Sequence, residues 1–558
     1  MIKKTISIAL AMVSTAGLSS AKELHVGAGH PLKTISAAAE LAQPGDTIMV
    51  HEGIYREEVN PPRGGTSDAQ RIVYTAAPGA KVVIKGSEPV KGWTRVANDT
   101  WKVTLPNTFF GDFNPYADLI RGDWFKPKGR THHTGAVYID ESCLWFGEVD
   151  DKNTTIYAQF KDLDPNERDT EINVRKTVFY PREPGRDYIT VRGFTMMHAA
   201  TPWAPPTAEQ FGLIGTHWSM GWIIENNTIS HSKCVGITLG KYGDEWDNRS
   251  ATATAYNDTI ERALKNGWHK ETVGSHMLRN NTVTHCEQAG IVGSLGCIFS
   301  TVEGNEFRHI HTHKLFSGAE TAAIKFHAPI DMLIKDNLVS QSGGYGLLWL
   351  DWMAQGTRVS GNLFYNNLDP NVFMEVNHGP YLLDHNIFLG SDFKNWSQGG
   401  AYCYNILPGA ITVSPQTRQT PYHRPHTTEV LGLSSIAGGD DRYLNNLMTQ
   451  PDPFGSIQKN IKNMVVEGNQ PLQSVKILEK DDGVYLSFEL PKTEPAQPVT
   501  AERLGKTLVS QTTFANPDGT PMTLATDYFG KPRDPRHPGA GPFAGLKPGR
   551  HEIKVWPK

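Results

Sequence analysis

Apolar positions in this chain fall mostly in short, β-branched stretches that glycine interrupts, and these stretches lack the period of an amphipathic helix. In six of them an asparagine precedes an apolar residue by two positions, at Asn227, Asn281, Asn305, Asn337, Asn362 and Asn386. Three of the five steps between these asparagines are 24 or 25 residues long. A fixed period of this size indicates stacked supersecondary units. The pattern predicts an all-β chain folded as a parallel β-helix with stacked asparagines, whereas the leucine spacing of a leucine-rich repeat is absent.

Breaks in this pattern divide the chain into parts. The pattern over residues 22–86 predicts the first rungs of the β-helix. Within it, residues 34–42 are expected to form an amphipathic helix that caps the open end of the β-helix. Over residues 87–187 the rung period is lost, and short alternating segments with turn signals predict a β-sandwich insertion. Rungs resume over residues 188–446. Residues 447–558 predict the end of the β-helix and a β-rich tail that packs on that end.

Two acidic residues hold the same phase in neighbouring rungs. Asp351 lies 11 residues before Asn362, and Glu375 lies 11 residues before Asn386. Adjacent strands of a sheet are ~4.8 Å apart, so the two carboxylates are expected side by side. His327 precedes its own asparagine by 10 residues, which places it only approximately beside Asp351.

Strand alternation indicates which side chains face the interior. The residues expected to point inward are Leu348, Leu350, Val372, Met374 and Val376. Those expected to point outward are Trp349, Asp351, Phe373, Glu375 and Asn377. An acidic residue in such an apolar strand is costly unless it faces solvent or takes part in chemistry. Retaining glycosidases hold two carboxyl groups ~5–5.5 Å apart and inverting ones ~6.5–9.5 Å, so one rung spacing fits a retaining enzyme, and the alternative is a solvated acidic ladder.

Composition and charge narrow the partners and the location. The formal net charge of −4 gives no electrostatic basis for binding nucleic acid. Two lysines in the first five residues, an apolar run over residues 6–18 and small residues before Ala21 predict a signal peptide over residues 1–21, cleaved after Ala21. We therefore expect a periplasmic or secreted protein. No later stretch is long and apolar enough to span a bilayer, and no cysteine lies near the cleavage site, so no membrane anchor is expected.

Metal-ligating residue types do not form a recognised metal motif. The five cysteines are scattered and lack metal-ligand spacing. His309, His311 and His313 alternate and would share one strand face, but a zinc site there would lack an obvious fourth ligand, so ordinary surface histidines are favoured. The sequence also contains no Gly-x-Ser-x-Gly motif and no phosphate-binding glycine-rich loop. We predict no cofactor and no metal ion at the functional site, and the sequence leaves open whether a structural metal ion is bound.

Two motifs resemble those of a known family. They are Trp349-Leu-Asp-Trp-Met-Ala-Gln-Gly-Thr-Arg358 and Glu375-Val-Asn-His-Gly-Pro380, and the segments Phe113–Asp118 and Gly439–Tyr443 accompany them. From about Leu24 to the C-terminus, the chain resembles glycoside hydrolase family 120. The resemblance implies a right-handed parallel β-helix interrupted by a β-sandwich. It also implies a retaining β-xylosidase that releases xylose from the non-reducing end of xylo-oligosaccharides.

The resemblance further implies roles for particular residues. Asp351 matches the family's nucleophile, and Glu375 matches its acid/base. Substrate-binding residues are expected around them, either from matches to family pocket residues or from the two motifs: Glu320, His327, Trp124, Trp352, Asn377 and His378.

Other activities stay open at this point. An α-L-arabinofuranosidase or another exo-glycosidase acting on plant cell-wall sugars is the nearest alternative, because xylose and arabinofuranose units differ little in size and polarity. A polysaccharide lyase would require a Ca²⁺ cluster and a Lys or Arg base. A non-catalytic carbohydrate-binding β-helix would not need two in-phase carboxylates. The sequence also leaves open whether the chain forms a homo-oligomer.

Overall fold

A computed structural model of the chain describes residues 21–139, 145–390, 392–492 and 495–558, together with the backbone of residues 141–143. Apart from Ala21, the predicted signal peptide lies outside the described residues. In the described part of the chain, most strands belong to three long parallel sheets, here called sheets A, B and C. These sheets are the faces of a right-handed parallel β-helix, so the predicted fold class is confirmed.

Each sheet gains its strands in chain order, rung after rung. Among the described residues, sheet A has 13 strands: Glu23–Val26, Thr47–Val50, Ile72–Ala76, Ile189–Arg192, Ile223–Glu225, Met277–Arg279, Thr301–Glu303, Leu333–Lys335, Arg358–Ser360, Tyr381–Asp384, Gly400–Cys403, Arg442–Leu444 and Val465–Glu467. In the same residues, sheet B has 12: Gly53–Tyr55, Val82–Lys85, Thr195–Ala199, Thr228–Ser232, Thr282–Cys286, Glu306–Arg308, Leu338–Ser340, Leu363–Tyr365, Ile387–Phe388, Ile406–Leu407, Leu447–Met448 and Gln470–Pro471. Sheet C, counted likewise, is 8-stranded: Ile214–Gly215, Val235–Thr238, Ala289–Ser294, Ala322–His327, Leu348–Asp351, Val372–Glu375, Phe393–Trp396 and Ile411–Val413.

Alternate apolar side chains of the three sheets fill one continuous interior. The strands form because each buries every second side chain there and leaves its backbone to pair with the neighbouring rungs. Of the residues predicted to point inward, Leu348, Leu350, Val372 and Met374 lie in this core, whereas Val376 packs in a separate cluster. The prediction for Val376 is wrong because its backbone has a φ of +50°, so the alternation ends one residue earlier.

A ladder of buried asparagines runs along the β-helix and confirms the predicted stacking. The Oδ1 atom of Asn362 accepts hydrogen bonds from the backbone N and from Nδ2 of Asn337, both at 2.9 Å. Its own Nδ2 donates to Ile334 O at 3.0 Å. Each such hydrogen bond contributes a net ~0.5–1.5 kcal/mol to stability. Beyond the predicted members, the ladder continues through Asn405, Asn446 and Asn469.

Helices are short in the described part of the chain: α1 is Ile35–Leu41, α2 is Ala253–Lys265 and α3 is Ala501–Leu504. Single 3₁₀ turns occur at Asp68–Gln70, Asn107–Phe110 and Pro165–Glu167. Thr34 caps α1, because its Oγ1 accepts a hydrogen bond from Ala37 N at 3.1 Å. This helix confirms the one predicted over residues 34–42. The pattern of the chain did not predict α2, which lies between two rungs.

Two four-stranded antiparallel sheets interrupt the β-helix between residues 87 and 173. One consists of Ser87–Pro89, Val137–Ile139, Glu141–Cys143 and Glu171–Asn173, and the other of Thr94–Ala97, Thr100–Pro106, Trp145–Val149 and Asn153–Gln159. They share a hydrophobic core of their own. After this insertion, Ile189–Arg192 pairs with Ile72–Ala76, so sheet A continues across it. A strand at Phe125–Lys126 pairs with Ser317–Gly318 and ties the insertion to a later rung.

Two more segments leave the rungs. A hairpin of Gln416–His423 and Val430–Ile436 lies beside α2, where Asn257 Nδ2 donates to Gln419 O at 2.9 Å. A C-terminal antiparallel sheet consists of Gln473–Lys480, Gly483–Leu490 and Gly549–Trp556.

The C-terminal sheet shares a buried cluster with Leu363 and Ile387, which lie on sheet B. The tail therefore packs along the side of the β-helix and not on its end as predicted, because the outer face of sheet B is apolar there. None of the helices in the described residues is long and apolar enough to cross a membrane.

Candidate active site

Sheet C brings the two predicted carboxylates together. Asp351 ends one strand and Glu375 ends the next, and the two residues are paired in parallel register. Adjacent strands place such a pair ~4.8 Å apart along the sheet. His327, on the preceding strand, is paired with Asp351 and therefore lies directly beside it. Its 10-residue spacing from the asparagine of its own rung predicts only an approximate alignment. The phase inferred from the asparagine repeat is confirmed.

Both carboxylates point away from the core of the β-helix, yet little of either reaches solvent. Asp351 exposes 4% of its surface and Glu375 exposes 7%. Above them lie α2, which contributes Tyr256, and the hairpin, which contributes Arg418. The segments that leave the rungs therefore cover one face of the sheet and enclose a cluster of polar side chains, here called the pocket.

The carboxylate of Asp351 is held by two basic side chains. Its Oδ2 lies 3.1 Å from Lys325 Nζ and 3.2 Å from His327 Nε2. Burial, together with the charge of Glu375, raises the pKa of Asp351 to about 6, although His327 and Lys325 oppose this rise. Burial also lowers the pKa of His327 to about 3. The imidazole is therefore neutral where Asp351 titrates, and Lys325 is the cation that stabilises the ionised carboxylate.

Glu320 shares the same lysine. Its Oε2 lies 3.2 Å from Lys325 Nζ and 3.4 Å from His327 Nε2. Burial raises the pKa of Glu320 to about 7, against the effect of Lys325. Lys325 Nζ also lies 3.1 Å from the centre of the Trp349 ring, a cation–π contact. One buried cation thus serves two carboxyl groups, and near neutral pH one of them can keep its proton.

Glu375 has different neighbours. Trp349 Nε1 donates to its Oε2 at 3.1 Å, and Arg418 Nη2 lies 2.6 Å from its Oε1. The side chain of Arg418 is 30% exposed, so this contact lies at the rim of the pocket. The two carboxylates are therefore distinguished by their surroundings: Asp351 sits at the base between Lys325 and His327, and Glu375 sits below the hairpin.

Several polar atoms in the pocket lack a hydrogen-bond partner among the described residues. They are Oδ1 of Asp351 and both ring nitrogens of His327. His327 Nε2 lies 3.2 Å from Asp351 Oδ2, but the geometry of this contact is not that of a hydrogen bond. Buried polar atoms without partners are rare in folded proteins because they cost ~1–3 kcal/mol each. A cluster of them beside two carboxylates is what a pocket for a polyhydroxylated ligand requires.

Two predicted aromatic residues lie near the carboxylates. Trp352 follows Asp351 directly and contacts Tyr256 edge-on, with ring centroids 4.9 Å apart. Trp124 belongs to the insertion, and its backbone O accepts a hydrogen bond from Ala319 N, the residue before Glu320. The paired strands at Phe125–Lys126 and Ser317–Gly318 therefore bring part of the insertion to the acidic cluster.

Asn377 and His378 do not face the carboxylates as predicted. Asn377 Nδ2 donates to Leu350 O at 2.9 Å, its Oδ1 accepts from Ala354 N at 2.7 Å, and no part of the side chain is exposed. His378 Nε2 contacts Thr420, and its Nδ1 contacts Gln398. The left-handed backbone at Val376 turns both side chains away, and they hold the loop after Glu375 and the base of the hairpin.

Sequence reasoning missed three residues of this pocket. Lys325 received no predicted role, although a lysine inside the apolar strand Ala322–His327 is an unusual signal. Arg418 and Tyr256 belong to the hairpin and to α2, which the repeat does not describe. Their approach to the carboxylates depends on contacts between segments far apart in the chain.

The arrangement predicted for His309, His311 and His313 is wrong. The strand there ends at Arg308, and His309 and His311 both have positive φ, so the three side chains do not share a strand face. His309 stacks on His285, whereas His311 and His313 contact Glu287. Metal-ligating side chains that converge are found elsewhere in the described chain, at His25, His30 and His51.

Two in-phase carboxylates beside a neutral imidazole and a shared lysine can carry out acid–base and nucleophilic chemistry on a sugar acetal. One carboxylate at the base of the pocket is placed to attack, and the other, at the rim, is placed to exchange a proton with a leaving oxygen or with water.

Comparison with solved structures finds one strong likeness and several weak ones. A solved structure of XylC in complex with xylose has 39% sequence identity and a TM-score of 0.89, and the match covers 96% of this chain and 100% of that one. A structure described as a glycoside hydrolase has 10% identity and a TM-score of 0.46 over 80% of this chain and 96% of that one. Pectate lyase Pel9A has 11% identity and a TM-score of 0.37, and the match covers 95% of this chain and 97% of that one. Likenesses this weak say nothing about function.

The insertion gives a second, independent match. Residues 90–144 match the model of the glycoside hydrolase 120 insertion domain. No curated protein matched the chain. Since XylC is similar over nearly the whole length and the insertion carries the family's own domain, this protein belongs to glycoside hydrolase family 120.

Proposed function

We propose that the protein is a retaining, exo-acting β-xylosidase that releases xylose from the non-reducing end of xylo-oligosaccharides. The observation that carries this proposal is the in-register pairing of Asp351 and Glu375 on neighbouring strands. One strand spacing suits a retaining mechanism, for which the two carboxyl groups lie ~5–5.5 Å apart. The similar protein XylC was solved with xylose, which favours xylose as the sugar released.

In the first step, Asp351 attacks the anomeric carbon. The glycosidic bond breaks as Glu375 transfers its proton to the leaving oxygen, and a covalent glycosyl-enzyme forms. Lys325, 3.1 Å from Asp351, keeps the attacking carboxylate ionised even though it is buried. In the second step, Glu375 takes a proton from water, the water attacks the same carbon, and Asp351 leaves. The sugar thus regains its original configuration after two inversions.

The remaining polar groups of the pocket suit the sugar hydroxyls. His327 is neutral because of its lowered pKa, so each of its ring nitrogens can donate or accept one hydrogen bond. Glu320, with its pKa raised to about 7, can act as donor or acceptor near neutral pH. Trp352 contacts Tyr256, whose ring centroid lies 5.3 Å from that of His327, and Trp124 is hydrogen-bonded through its backbone O to Ala319, the residue before Glu320. We propose that these four residues bind the terminal xylose.

The cover over the carboxylates favours action at chain ends. Asp351 and Glu375 are 4% and 7% exposed, so a long polymer cannot lie across them. We propose that a terminal sugar enters between α2, the hairpin and the insertion. We therefore expect single xylose units to be released from xylobiose and longer oligomers, with little action on intact xylan.

Product analysis and stereochemistry together test this function. Proton NMR of the first sugar released from xylobiose should show the β-anomer, because retention follows from the one-strand spacing. Asp351→Ala should abolish turnover, and azide should restore cleavage of a nitrophenyl β-xyloside to give the α-xylosyl azide. Asp336→Ala, at a 42% exposed aspartate paired with Lys558, is the matched control and should keep normal activity. An α-anomer formed first, or near-normal turnover in Asp351→Ala, would refute the assignment.

The alternatives are separated by substrate choice. Faster cleavage of nitrophenyl α-L-arabinofuranoside than of the β-xyloside would identify an arabinofuranosidase. Unsaturated products from pectate or alginate would identify a lyase. Binding of xylo-oligosaccharides without any cleavage would identify a non-catalytic carbohydrate-binding protein.

We also propose export with removal of residues 1–21, giving a periplasmic or secreted enzyme. Lys22 N lies 2.9 Å from Asp46 Oδ1, and Asp46 is 4% exposed. A chain beginning at Lys22 would place its new α-ammonium group beside this carboxylate, which adds an ion pair to the existing hydrogen bond. Mass spectrometry of the intact exported protein tests the site, since a mature chain that starts elsewhere contradicts cleavage after Ala21.

A further inference from the structure

Three histidines meet at the first rungs of the β-helix. His25 lies on the first strand of sheet A, His30 lies in the turn after it, and His51 follows the second strand. One ligand nitrogen from each lies within 4.8 Å of the others. His25 Nδ1 is 2.9 Å from His51 Nε2, and the rings of His30 and His51 are 4.0 Å apart. In the described part of the chain, no other group of His, Cys, Asp or Glu side chains converges in this way.

Backbone hydrogen bonds bring together the segments that carry the three histidines. His51 N donates to Val26 O at 2.9 Å, and Gly27 N donates to Leu32 O at 2.9 Å, which closes the turn that carries the middle histidine. Gly27 has a φ of +145°, and a Cβ there would lie 3.1 Å from His51 Cβ and 3.2 Å from Tyr55 Oη. A glycine is needed here so that the turn can approach the two neighbouring side chains.

A carboxylate lies behind one of the three rings. Glu23 Oε2 lies 3.5 Å from His25 Nε2, on the side of the ring opposite the nitrogen that faces His51. A carboxylate in that position orients a metal-binding histidine and raises its basicity.

We propose that His25, His30 and His51 form a binding site for a divalent transition-metal ion, with Zn²⁺ as the first candidate. Imidazole nitrogen suits Zn²⁺, Cu²⁺ and Ni²⁺. Zn–N distances of ~2.0–2.1 Å in a tetrahedral site separate the nitrogens by about 3.4 Å. The half-exposed side chains reach that spacing by rotating about their χ angles, which also ends the stacking of His30 on His51. Three histidines leave a fourth position for water.

The site links three successive parts of the chain. An ion there would join the first strand of sheet A, the turn after it and the end of the second strand. Because the first strand is the edge strand of sheet A, it is among the parts of the β-helix that open most easily. The ion therefore holds the N-terminal end of the β-helix closed and takes no part in the reaction at Asp351 and Glu375.

Cobalt spectroscopy on the untagged chain 22–558 tests the site directly. One equivalent of Co²⁺ should give the intense visible bands of a tetrahedral complex, and Zn²⁺ should displace it. His30→Ala and His51→Ala should lose these bands, whereas His537→Ala, at an exposed histidine of the tail, should keep them. Glu23→Gln should weaken Zn²⁺ binding by roughly 10-fold, because an outer carboxylate is lost. Equal Co²⁺ spectra in wild type and His30→Ala, or binding only at millimolar metal, would overturn the proposal.

Hydrogen exchange tests the consequence for the fold. Zn²⁺ should slow amide exchange in residues 22–32 of the wild-type protein and leave His30→Ala unchanged. Xyloside hydrolysis should be the same for both proteins. Slower exchange that is spread over the whole chain, or none in this segment, would contradict the role given to the ion even if binding occurs.

Discussion

Replacing Lys325 by methionine should move the acid limb of the pH profile of kcat/KM to higher pH. The reaction needs an ionised Asp351, whose raised pKa of about 6 sets that limb in the free enzyme. Lys325 is the only cation in contact with this carboxylate among the described residues, with 3.1 Å between Nζ and Oδ2. Methionine keeps most of the side-chain length and removes the charge. Protonation of Asp351 and Glu320 then removes the buried negative charge that the lysine had balanced, so the folded state is expected to survive.

The size of the shift follows from the contact distance. Two unit charges ~4 Å apart attract by roughly 4 kcal/mol at an effective dielectric constant of ~20, and ~1.36 kcal/mol corresponds to one pKa unit. Glu320 shares the ammonium group at 3.2 Å, so Asp351 loses only part of this stabilisation. We expect the limb to rise by about 1–2 units. At pH 6 this lowers the ionised fraction of Asp351, and with it kcat/KM, by roughly 5- to 50-fold.

The assay is kcat/KM for a nitrophenyl β-xyloside measured across the acid and neutral range. Lys394→Met is the matched control: Lys394 lies in the same row of sheet C, two strands beyond Trp349, and donates to Tyr345 O at 3.2 Å. The acid limb of the Lys394→Met profile should stay in place. An unmoved limb in Lys325→Met would refute the view that Lys325 holds down the pKa of Asp351. A uniform loss at every pH would instead show that the lysine binds the sugar.

Three further outcomes are expected. Glu375→Ala should slow xylobiose cleavage by ~10²–10⁴-fold but leave a burst of nitrophenolate from an activated xyloside. Azide should speed the steady-state turnover of that xyloside and give the β-xylosyl azide. Equal losses of activity on both substrates would make Glu375 a binding residue. Asn362→Ala should lower the free energy of unfolding in urea by about 2–4 kcal/mol, since Asn337 N and Ile334 O lose their partners; a loss below ~0.5 kcal/mol would show that the ladder contributes little. The pKa of Asp351 is raised in the folded protein, so the contribution of this residue to stability is complete below the unfolded pKa near 4 and is lost as pH rises through about 6. Asp351→Asn should therefore raise the Tm at pH 8 by more than at pH 5. An equal change in Tm at both pH values would contradict the raised pKa.

The period of the chain was sufficient to predict the fold and the pairing at its centre. Asparagine recurs once per rung, and each one bonds to the next, so counting residues from it predicts which strand residues lie side by side. Asp351 and Glu375 share that count, and they are paired. Alternation likewise predicted that both side chains leave the interior. These properties are periodic in the sequence because each rung repeats the same backbone path.

Tertiary structure alone decided what surrounds the pair. Helix α2 and the hairpin leave the repeat, so no count along the chain predicts that Tyr256 and Arg418 return to the carboxylates. The left-handed backbone at Val376, which directs Asn377 and His378 away from the pocket, also lies outside the alternation rule.

The acid–base properties depend on the same long-range packing. Burial raises the pKa of Asp351 to about 6 and that of Glu320 to about 7 only once α2 and the hairpin have covered the outward face of sheet C. The sequence by itself therefore determined the fold and the carboxylate pair, because both follow from a local repeat. The enclosure and electrostatics of the pocket were decided by the tertiary structure, because they arise from contacts between segments with no common period.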